Sequence, residues 1–451
     1  MWNSSSWMDK KVNPYNITYG NGKQTTARAI LHKISRLPPL VTPLEILHLR
    51  NLLKEVALGQ RFIWQCGDCA ELFDHCETSY ISDRIRLLSQ LGLIFTLVTG
   101  IPAVRIGRMA GQYGKPRNGL TELVGGVEIH KFHGDVINTV EPFRREPEPE
   151  RMLSAYFHAG CTMNYIRALA SGNRTGEDPR ATSDLFKDET FAEIRSDLVR
   201  ARQLLHNRDQ LMNPVFTSHE CLFLHYEQAF TRPWSGQADA TTAPGGVYNA
   251  SAHFLWVGDK TRQLDGAHLE YIRGLQNPVG IKIGPTTNAD ELVNILDLID
   301  PHHEPGKVVL ITRLGRAKVS RLDSLIQAVQ GSRHRVIWQC DPMHGNTRVT
   351  DRGIRTRDLS SMIDEVTATI ESHRRHNSWL GGIHVETTPD DDVMECVGGV
   401  NGPQDKDIGG PGYKTKCDPR LNSKQAMELA LVVGKLYAQL YGNNRIPRAR
   451  L

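Results

Sequence analysis

The sequence predicts an α/β protein: a (β/α)8 TIM barrel with an N-terminal extension and a helical insertion after its second strand. Three observations predict it. From Arg61 onward, eight short apolar runs alternate with helix-patterned segments. These runs stop abruptly at charged or ligand-type residues, as strands do at the catalytic mouth of a β/α barrel. No repeat of fixed period argues for a solenoid instead.

Residues 1–60 make the extension in this reading, and residues 61–451 make the barrel. The first 24 residues are polar and form an irregular arm, and Thr25 to Ile34 is a short helix. The segment Leu37-Pro38-Pro39-Leu40-Val41 is extended, because a residue before proline avoids the helical region. Thr42 caps a helix running to Leu58, with Pro43 at its first position and Gly59 past its end. The expected strands then begin. Arg61 to Gln65 leads into Cys66-Gly-Asp-Cys-Ala-Glu71, and a helix over Tyr80 to Phe95 follows, apolar on the Ile81, Ile85, Leu88, Leu91 face. Pro102 to Ile106 is the second strand.

A polar, mostly helical excursion fills about 120–211. Glu141 to Arg151 is a surface loop within it, and Ser154 to Leu169 and Phe191 to Leu205 are its helices. Strands three to six are Pro214–Thr217, His253–Val257, Val279–Ile283 and Val308–Thr312. The seventh is Val336-Ile337-Trp338, which breaks into the polar cluster Asp341, His344 and Asn346. The eighth is Gly382–Val385, ending in Glu386. Helices over Asp265–Leu275, Ala289–Leu298, Leu322–Val329 and Leu359–His373 separate the later strands, and Lys424–Leu440 closes the chain.

Composition narrows the function. Of the 451 residues, 39% are hydrophobic and 23% charged, which is ordinary for a globular protein. A net charge of +4 is small for this length, so no nucleic-acid partner is expected and the arginines are better used at local phosphate sites. No apolar run reaches the roughly 18 residues that a membrane span needs. The N-terminal stretch lacks an apolar signal core, so a cytoplasmic protein is expected. The eight cysteines are scattered, which suits buried thiols or ligands better than a disulfide framework. A homo-oligomer, dimer or tetramer, is the expected assembly.

The strand ends deliver two groups of side chains. Cys69, His344, Glu386 and Asp418 combine a thiolate, an imidazole and two carboxylates, a donor set that suits Mn²⁺, Co²⁺, Zn²⁺ or Fe²⁺. Their spacing carries little weight; their shared place at one barrel end carries the argument. Arg108, Lys115, Arg117, Lys260, Arg262, Lys282 and Arg313 form a cationic group that implies an anionic, phosphorylated substrate. Each residue also has a plain structural role open to it. A single Cys or His is more often packed core than ligand. Arg117 and Arg262 are of a type that usually makes surface ion pairs. Cys66 and Cys69 have the spacing of a redox pair without its helical context. His219 and His384 fit structural roles better than catalytic ones. The glycine pairs at 398–399 and 409–410 mark loop flexibility and lack the strand-to-helix context of a phosphate-binding turn.

These segments resemble the type II (plant-like) 3-deoxy-D-arabino-heptulosonate 7-phosphate (DAHP) synthases. The likeness runs from about Leu37 to Asn422. It rests on Gly67-Asp-Cys-Ala-Glu71, Arg108-x-Ala-Gly-Gln-Tyr-x-Lys-Pro-Arg117, Thr217-Ser-His-Glu220, Thr261-Arg-Gln-Leu-Asp-Gly-Ala-His268, Asn277-Pro-Val-Gly280, Cys340-Asp-Pro-Met-His-Gly-Asn-Thr347, Gly382-Ile-His-Val-Glu386 and Cys417-Asp-Pro-Arg-Leu-Asn422. The resemblance implies a metal-dependent, aldol-like condensation of phosphoenolpyruvate with erythrose 4-phosphate, Mn²⁺ or Co²⁺ being the foremost metals. It maps Cys69, His344, Glu386 and Asp418 to the metal. Arg108, Lys282 and Arg313, with the Asp259-Lys260 pair, map to phosphoenolpyruvate, and Lys115 and Arg117 map to erythrose 4-phosphate. Asp341 is expected to support the site or to touch the acceptor sugar. The catalytic roles fall to Lys282, Arg108 and His344.

Two departures from that family stand out. Asp259-Lys260 replaces the usual Glu-Arg, exchanging a planar fork for a point charge and drawing a carboxylate back by about 1.5 Å. The segment Ser171 to Glu189 is shorter than in the large allosteric members, as in secondary-metabolite pathways. The alternatives are therefore an aminoDAHP synthase, using an amino or imino analogue of erythrose 4-phosphate, or a non-catalytic metal-binding homologue. Cys417 directly precedes Asp418, which draws it toward Cys69; oxidation of that pair would remove a ligand.

Overall fold

The computed structural model describes residues 2–20, 22–172, 214–236 and 244–442. The expected helix over Phe191–Leu205, and nearly all of the Ser171–Glu189 segment, lie outside them. Eight parallel strands close into a barrel: β1 (Phe62–Gly67), β2 (Ala103–Arg108), β3 (Phe216–Glu220), β4 (Phe254–Val257), β5 (Val279–Ile283), β6 (Val308–Thr312), β7 (Ile337–Cys340) and β8 (Gly382–Glu386). Each strand pairs with its sequence neighbours, and β1 pairs with β8 to close the ring.

The expected strands all form, but β1, β2, β3, β7 and β8 run one to three residues further at their C-terminal ends. The reason is local. Gly67, Arg108, Glu220 and Glu386 were expected beyond the strands, yet they stay in the ladder because the barrel gives them partners. Gly67 also fills a steric need. Its φ of 144° and the carbonyl oxygen of Arg108, 2.6 Å from where a Cβ would sit, leave room only for glycine.

Helices surround the ring: α1 (Lys23–Arg36), α2 (Pro43–Ala57), α3 (Thr78–Thr99), α4 (Glu150–Gly172), α5 (Leu224–Gln228), α6 (Ala267–Ile272), α7 (Ala289–Ile299), α8 (Leu322–Ser332), α9 (Leu359–Arg375) and α10 (Ser423–Tyr441). The outward side chains of β1 and β8, Phe62, Trp64, Ile383 and Val385 among them, pack under α3, α9 and α10. Those of β4 to β6 pack under α6, α7 and α8. The arm is less irregular than expected. Trp7 is buried in that second cluster, and the Trp2 indole donates to the Glu270 carbonyl at 2.9 Å.

The excursion is not wholly helical. It starts with a β-hairpin, Thr121–Val124 paired to Val127–His130, turning on Gly125 and Gly126 at φ 58° and 82°. Alternating residues around Gly-Gly are a hairpin signal that the sequence carries openly. Two further hairpins, Thr231–Trp234 with Gly246–Asn249 and Thr347–Val349 with Arg355–Arg357, follow β3 and β7.

The barrel interior is graded. At the N-terminal end Ile63, Val104, Ile106, Phe216, Phe254, Val309, Ile311 and Ile337 pack against Leu49, Leu52, Leu53 and Val56 of α2. This helix begins in a capping box: Glu45 N–H donates to Thr42 Oγ1 at 3.3 Å, and Thr42 N–H donates to Glu45 Oε2 at 2.8 Å. It plugs one end, so the polar chemistry is confined to the other. Leu53 is 0% exposed in that plug. Leu53→Ala should cost about 2–5 kcal/mol of stability, the usual range for a buried leucine. The shift of the denaturation midpoint measures it, and catalytic efficiency at room temperature should stay close to wild type.

Candidate active site at the C-terminal mouth

Above the apolar plug lies a layer of neutral polar groups. The amide of Gln65 on β1 donates to Ser218 Oγ on β3 at 3.0 Å and accepts from His384 Nδ1 on β8 at 2.8 Å. His384 is buried, and burial with Lys282 and Arg108 nearby pushes its pKa far down. It is therefore a neutral imidazole, with Nε2 free to accept from Arg108 Nη1 at 2.5 Å. Trp256 stands edge-on to His384 and lies 5.0 Å beneath the Arg108 guanidinium. His384 thus links the Gln65 amide to the Arg108 guanidinium.

The next layer is charged. Glu386, 0% exposed at the tip of β8, is the centre. Its Oε1 lies 3.1 Å from Arg108 Nη2, 3.3 Å from His344 Nε2 and 3.7 Å from Lys115 Nζ, and its Oε2 lies 2.7 Å from Arg357 Nη1. Burial works against its ionisation, yet His344, Lys115 and Arg357 hold it well below the usual carboxylate range. Asp418 follows the same pattern: burial opposes its charge, and Lys115, at 2.6 Å from Oδ2, with Arg357 nearby, keeps it ionised. Ligand atoms of His344, Glu386 and Asp418 lie within 4.8 Å of one another.

This trio fits a divalent cation by the chemistry of its donors. Asp341, fully buried, sits 2.7 Å from His344 Nδ1. With Nδ1 facing Asp341, Nε2 faces Glu386 Oε1 at 3.3 Å, and a cation shared between them would take the place of a proton there. Asp341 is otherwise taken up by Lys282 and by the backbone N–H groups of Met343 and His344, at 3.1 and 3.2 Å. These partners orient the His344 ring and occupy both oxygens of the Asp341 carboxylate.

Cys69, expected as a fourth ligand, is instead paired with Cys417 across a Cα–Cα distance of 6.8 Å. A disulfide sulfur is not a thiolate donor. The partner is Cys417 and not Cys66, which lies buried and free in β1 with its thiol pushed up to about 12 by burial. The redox-pair reading of Cys66 and Cys69 therefore falls. Cys69 Sγ still lies beside Asp418, accepting from its N–H at 3.4 Å.

The cationic group divides. Lys282 projects from β5, buried against Asp341, and burial lowers its pKa to about 8. Arg313 follows β6 and is held at 2.8 Å by Asp259 Oδ2. Asp259 Oδ1 accepts from Arg262 Nε at 2.9 Å and from Gly284 N–H at 3.1 Å. Asp259 therefore faces arginines and positions them. Arg262 is internal, not on the surface, and its Nη1 also meets Glu291 at 2.5 Å. Lys260 is exposed on the rim and donates to Asn118 Oδ1, beside Arg117. Lys115 is buried between Glu386 and Asp418, whereas Arg117 is half-buried, donating from Nε to the Phe132 carbonyl at 2.9 Å.

Sequence reasoning missed the residues that hold these loops. Glu71 accepts from Ala110 and Gly111 N–H at 3.1 and 3.0 Å and pairs with Arg84 at 3.0 Å, tying the β1 loop to the β2 loop. Arg420 bridges Asp68 at 2.7 Å and Glu395 at 2.7 Å, tying the Cys69 loop to the Asp418 loop. Glu365 on α9 accepts from Leu314 and Gly315 N–H and from the Asn346 amide, which joins the loops bearing Arg313 and His344. Burial pushes its carboxyl up to about 8. Glu71 and Arg420 stood inside quoted motifs, but nothing in one dimension says that two loops need a strut.

With this geometry in place, likeness to known proteins can be weighed. The sequence profile of the class-II DAHP synthetase family matches residues 2–434. A phospho-2-dehydro-3-deoxyheptonate aldolase of Neurospora crassa is 42% identical over 464 residues, covering 97% of this chain and 95% of that protein. Proteins of the same name from Mycolicibacterium smegmatis and Streptomyces coelicolor are 38% and 37% identical, each covering 91% of this chain and 90% and 92% of their own. A solved DAHP synthase from Thermotoga maritima aligns at 14% identity and a TM-score of 0.34, over 84% of this chain and 70% of its own, too distant to add to the barrel described above. Profile and relatives agree over almost the whole length: the chain belongs to the class-II DAHP synthetase family.

Proposed function

We propose that the condensation of phosphoenolpyruvate with erythrose 4-phosphate takes place at the trio His344, Glu386 and Asp418, with a divalent metal bound there and Cys69 joining once its bond to Cys417 is reduced. The observation that carries this reading is the meeting of those three donors, with the His344 ring set by Asp341. Such an ion supplies a Lewis acid for the acceptor aldehyde. Mn²⁺ or Co²⁺ suits one imidazole and two carboxylates, and a thiolate as fourth donor also admits Zn²⁺ or Fe²⁺.

The chain's own groups do the rest. Arg108, Lys282 and Arg313 neutralise the phosphate and carboxylate of phosphoenolpyruvate and hold its C3 toward the aldehyde. Asp259 keeps Arg313 aimed. Lys115 and Arg117 take the phosphate of erythrose 4-phosphate, with Lys260 at the rim. After C3 attacks the aldehyde carbon, positive charge at C2 is captured by water and the tetrahedral centre expels phosphate. Lys282 can carry a proton at Nζ during these steps, because burial has brought its pKa near the working range. An amino analogue of the acceptor would bring a further cation against Lys115, Arg117 and Lys260, so the ordinary sugar phosphate is favoured; assaying both acceptors decides. A cytoplasmic homo-oligomer, with residues 61–451 as the catalytic barrel, belongs to the same reading; no helix among the described residues is long and apolar enough to cross a membrane.

Chelation tests the metal directly. Excess chelator on reduced protein should abolish condensation, and Mn²⁺ or Co²⁺ should restore it; full activity in a verified metal-free sample would sink the reading. The pH dependence follows from Lys282. Its depressed pKa leaves the ammonium present below about pH 8 and lost above it, so kcat/KM for phosphoenolpyruvate should fall on the alkaline side, and Lys282→Arg should move that limb upward. Asp259→Ala should raise the KM for phosphoenolpyruvate about tenfold by freeing Arg313. Lys260→Ala should change it by less than about threefold, since an exposed charge is screened.

A further inference from the structure

We infer that the short strand Arg355–Arg357 selects which oxygen of each acidic metal ligand faces the site, an assignment that rests on the metal reading above. Side chains two apart on a strand lie on one face. Here Arg355 Nη1 meets Asp418 Oδ1 at 2.8 Å, and Arg357 Nη1 meets Glu386 Oε2 at 2.7 Å. The oxygens left over are Asp418 Oδ2 and Glu386 Oε1, and these are the two that converge on Lys115 and, for Glu386, on His344. Each carboxylate is thus divided into an outer oxygen held by the Arg355–Arg357 strand and an inner oxygen that faces the site, where Lys115 meets both and Arg108 and His344 also meet Glu386 Oε1.

The strand is itself anchored. It pairs with Thr347–Val349 in a hairpin, and Arg357 Nε donates to Thr347 Oγ1 at 3.0 Å. Arg357 Nη1 also donates to the Pro419 carbonyl at 2.5 Å, next to Asp418. Thr356, between the two arginines, donates to the Glu395 carbonyl at 2.8 Å, and Tyr413 donates to the Arg355 carbonyl at 2.8 Å. The same hairpin begins three residues after His344, so one element spans the ligands from β7, β8 and the loop beyond. Arg355 and Arg357 are positioning residues in this account, acting through Asp418 and Glu386.

The sign of the effect makes the inference testable. By charge alone, a guanidinium beside a cation site repels the cation, and its removal should tighten binding. By positioning, its removal lets the carboxylate rotate and loosens binding, as loss of an outer partner of a metal ligand does by about 10–100-fold. The experiment is a titration of reduced, chelator-treated protein with Mn²⁺, free ion being read by electron paramagnetic resonance. Wild type should bind Mn²⁺. Arg355→Gln, at a half-exposed position, should weaken binding about 10–100-fold with its melting temperature without metal unchanged. Arg355→Lys should recover part of the loss, and Arg357→Lys should weaken binding further. If Arg357→Lys does not fold, the two Arg355 variants carry the test. Equal or tighter binding by Arg355→Gln overturns the inference while leaving the metal site standing. Failure of wild type to bind overturns the metal reading, and this inference with it.

Discussion

A carboxylate at the tip of β8 sets the terms for everything around it. Glu386 has no exposure to water, and an unpaired charge in that setting costs several kcal/mol. Arg108 and Lys115 stand against it from the end of β2 and the loop that follows, and His344 and Arg357 from the connection between β7 and α9. Because a buried charge is tolerated only when it is fully paired, these segments cannot move independently. The loops after β1, β2, β7 and β8 are therefore one cooperative unit, with Glu386 at its hub and Glu71, Arg420 and Glu365 as struts farther out.

The graded interior explains how the same barrel both folds and reacts. Its lower third is an aliphatic and aromatic plug closed by α2, which repays the entropy of ordering the chain. Its middle is neutral and hydrogen-bonded, so Gln65, Ser218 and His384 satisfy one another without charge. Only the upper layer of the interior carries ions, Arg108, Lys115, Lys282, Asp341, Glu386 and Asp418 among them. Lys282 shows the cost of that layout: burial weakens its hold on a proton even with Asp341 alongside. Cys69 is covalently paired with Cys417, and the same sulfur cannot be disulfide and thiolate at once.

Much of the fold was legible because it depends on periodicity. Strands β5 and β6 were bounded to the residue, and α2, α7 and α8 were found within a few residues, since apolar spacing and caps are local signals. The misses have local causes too. Strands were cut short where a polar residue was read as the start of a loop, and polar strand ends are what this barrel's mouth consists of. The hairpin around Gly125-Gly126 was overlooked inside a stretch read as helical. Of the site, the donors were legible by type and by their place after strands; their partners were not. Asp259 was expected on substrate and holds Arg262 and Arg313; Asp341 was left between two roles and is taken up by His344 and Lys282.

The sequence by itself determined the barrel, the end at which its chemistry sits, the family and the residue types that gather there, because each follows from spacing along the chain or from motifs read whole. The tertiary structure alone decided which of those residues touch. It put Lys260 on the rim, buried Arg262, and brought Arg355 and Arg357 onto the outer oxygens of Asp418 and Glu386, while the Cys69–Cys417 bond had been foreshadowed by Cys417 standing next to Asp418. The reason is that ion pairs, disulfides and hydrogen bonds across loops depend on distances between segments far apart in the chain, and these exist only once the β1–β8 seam has closed.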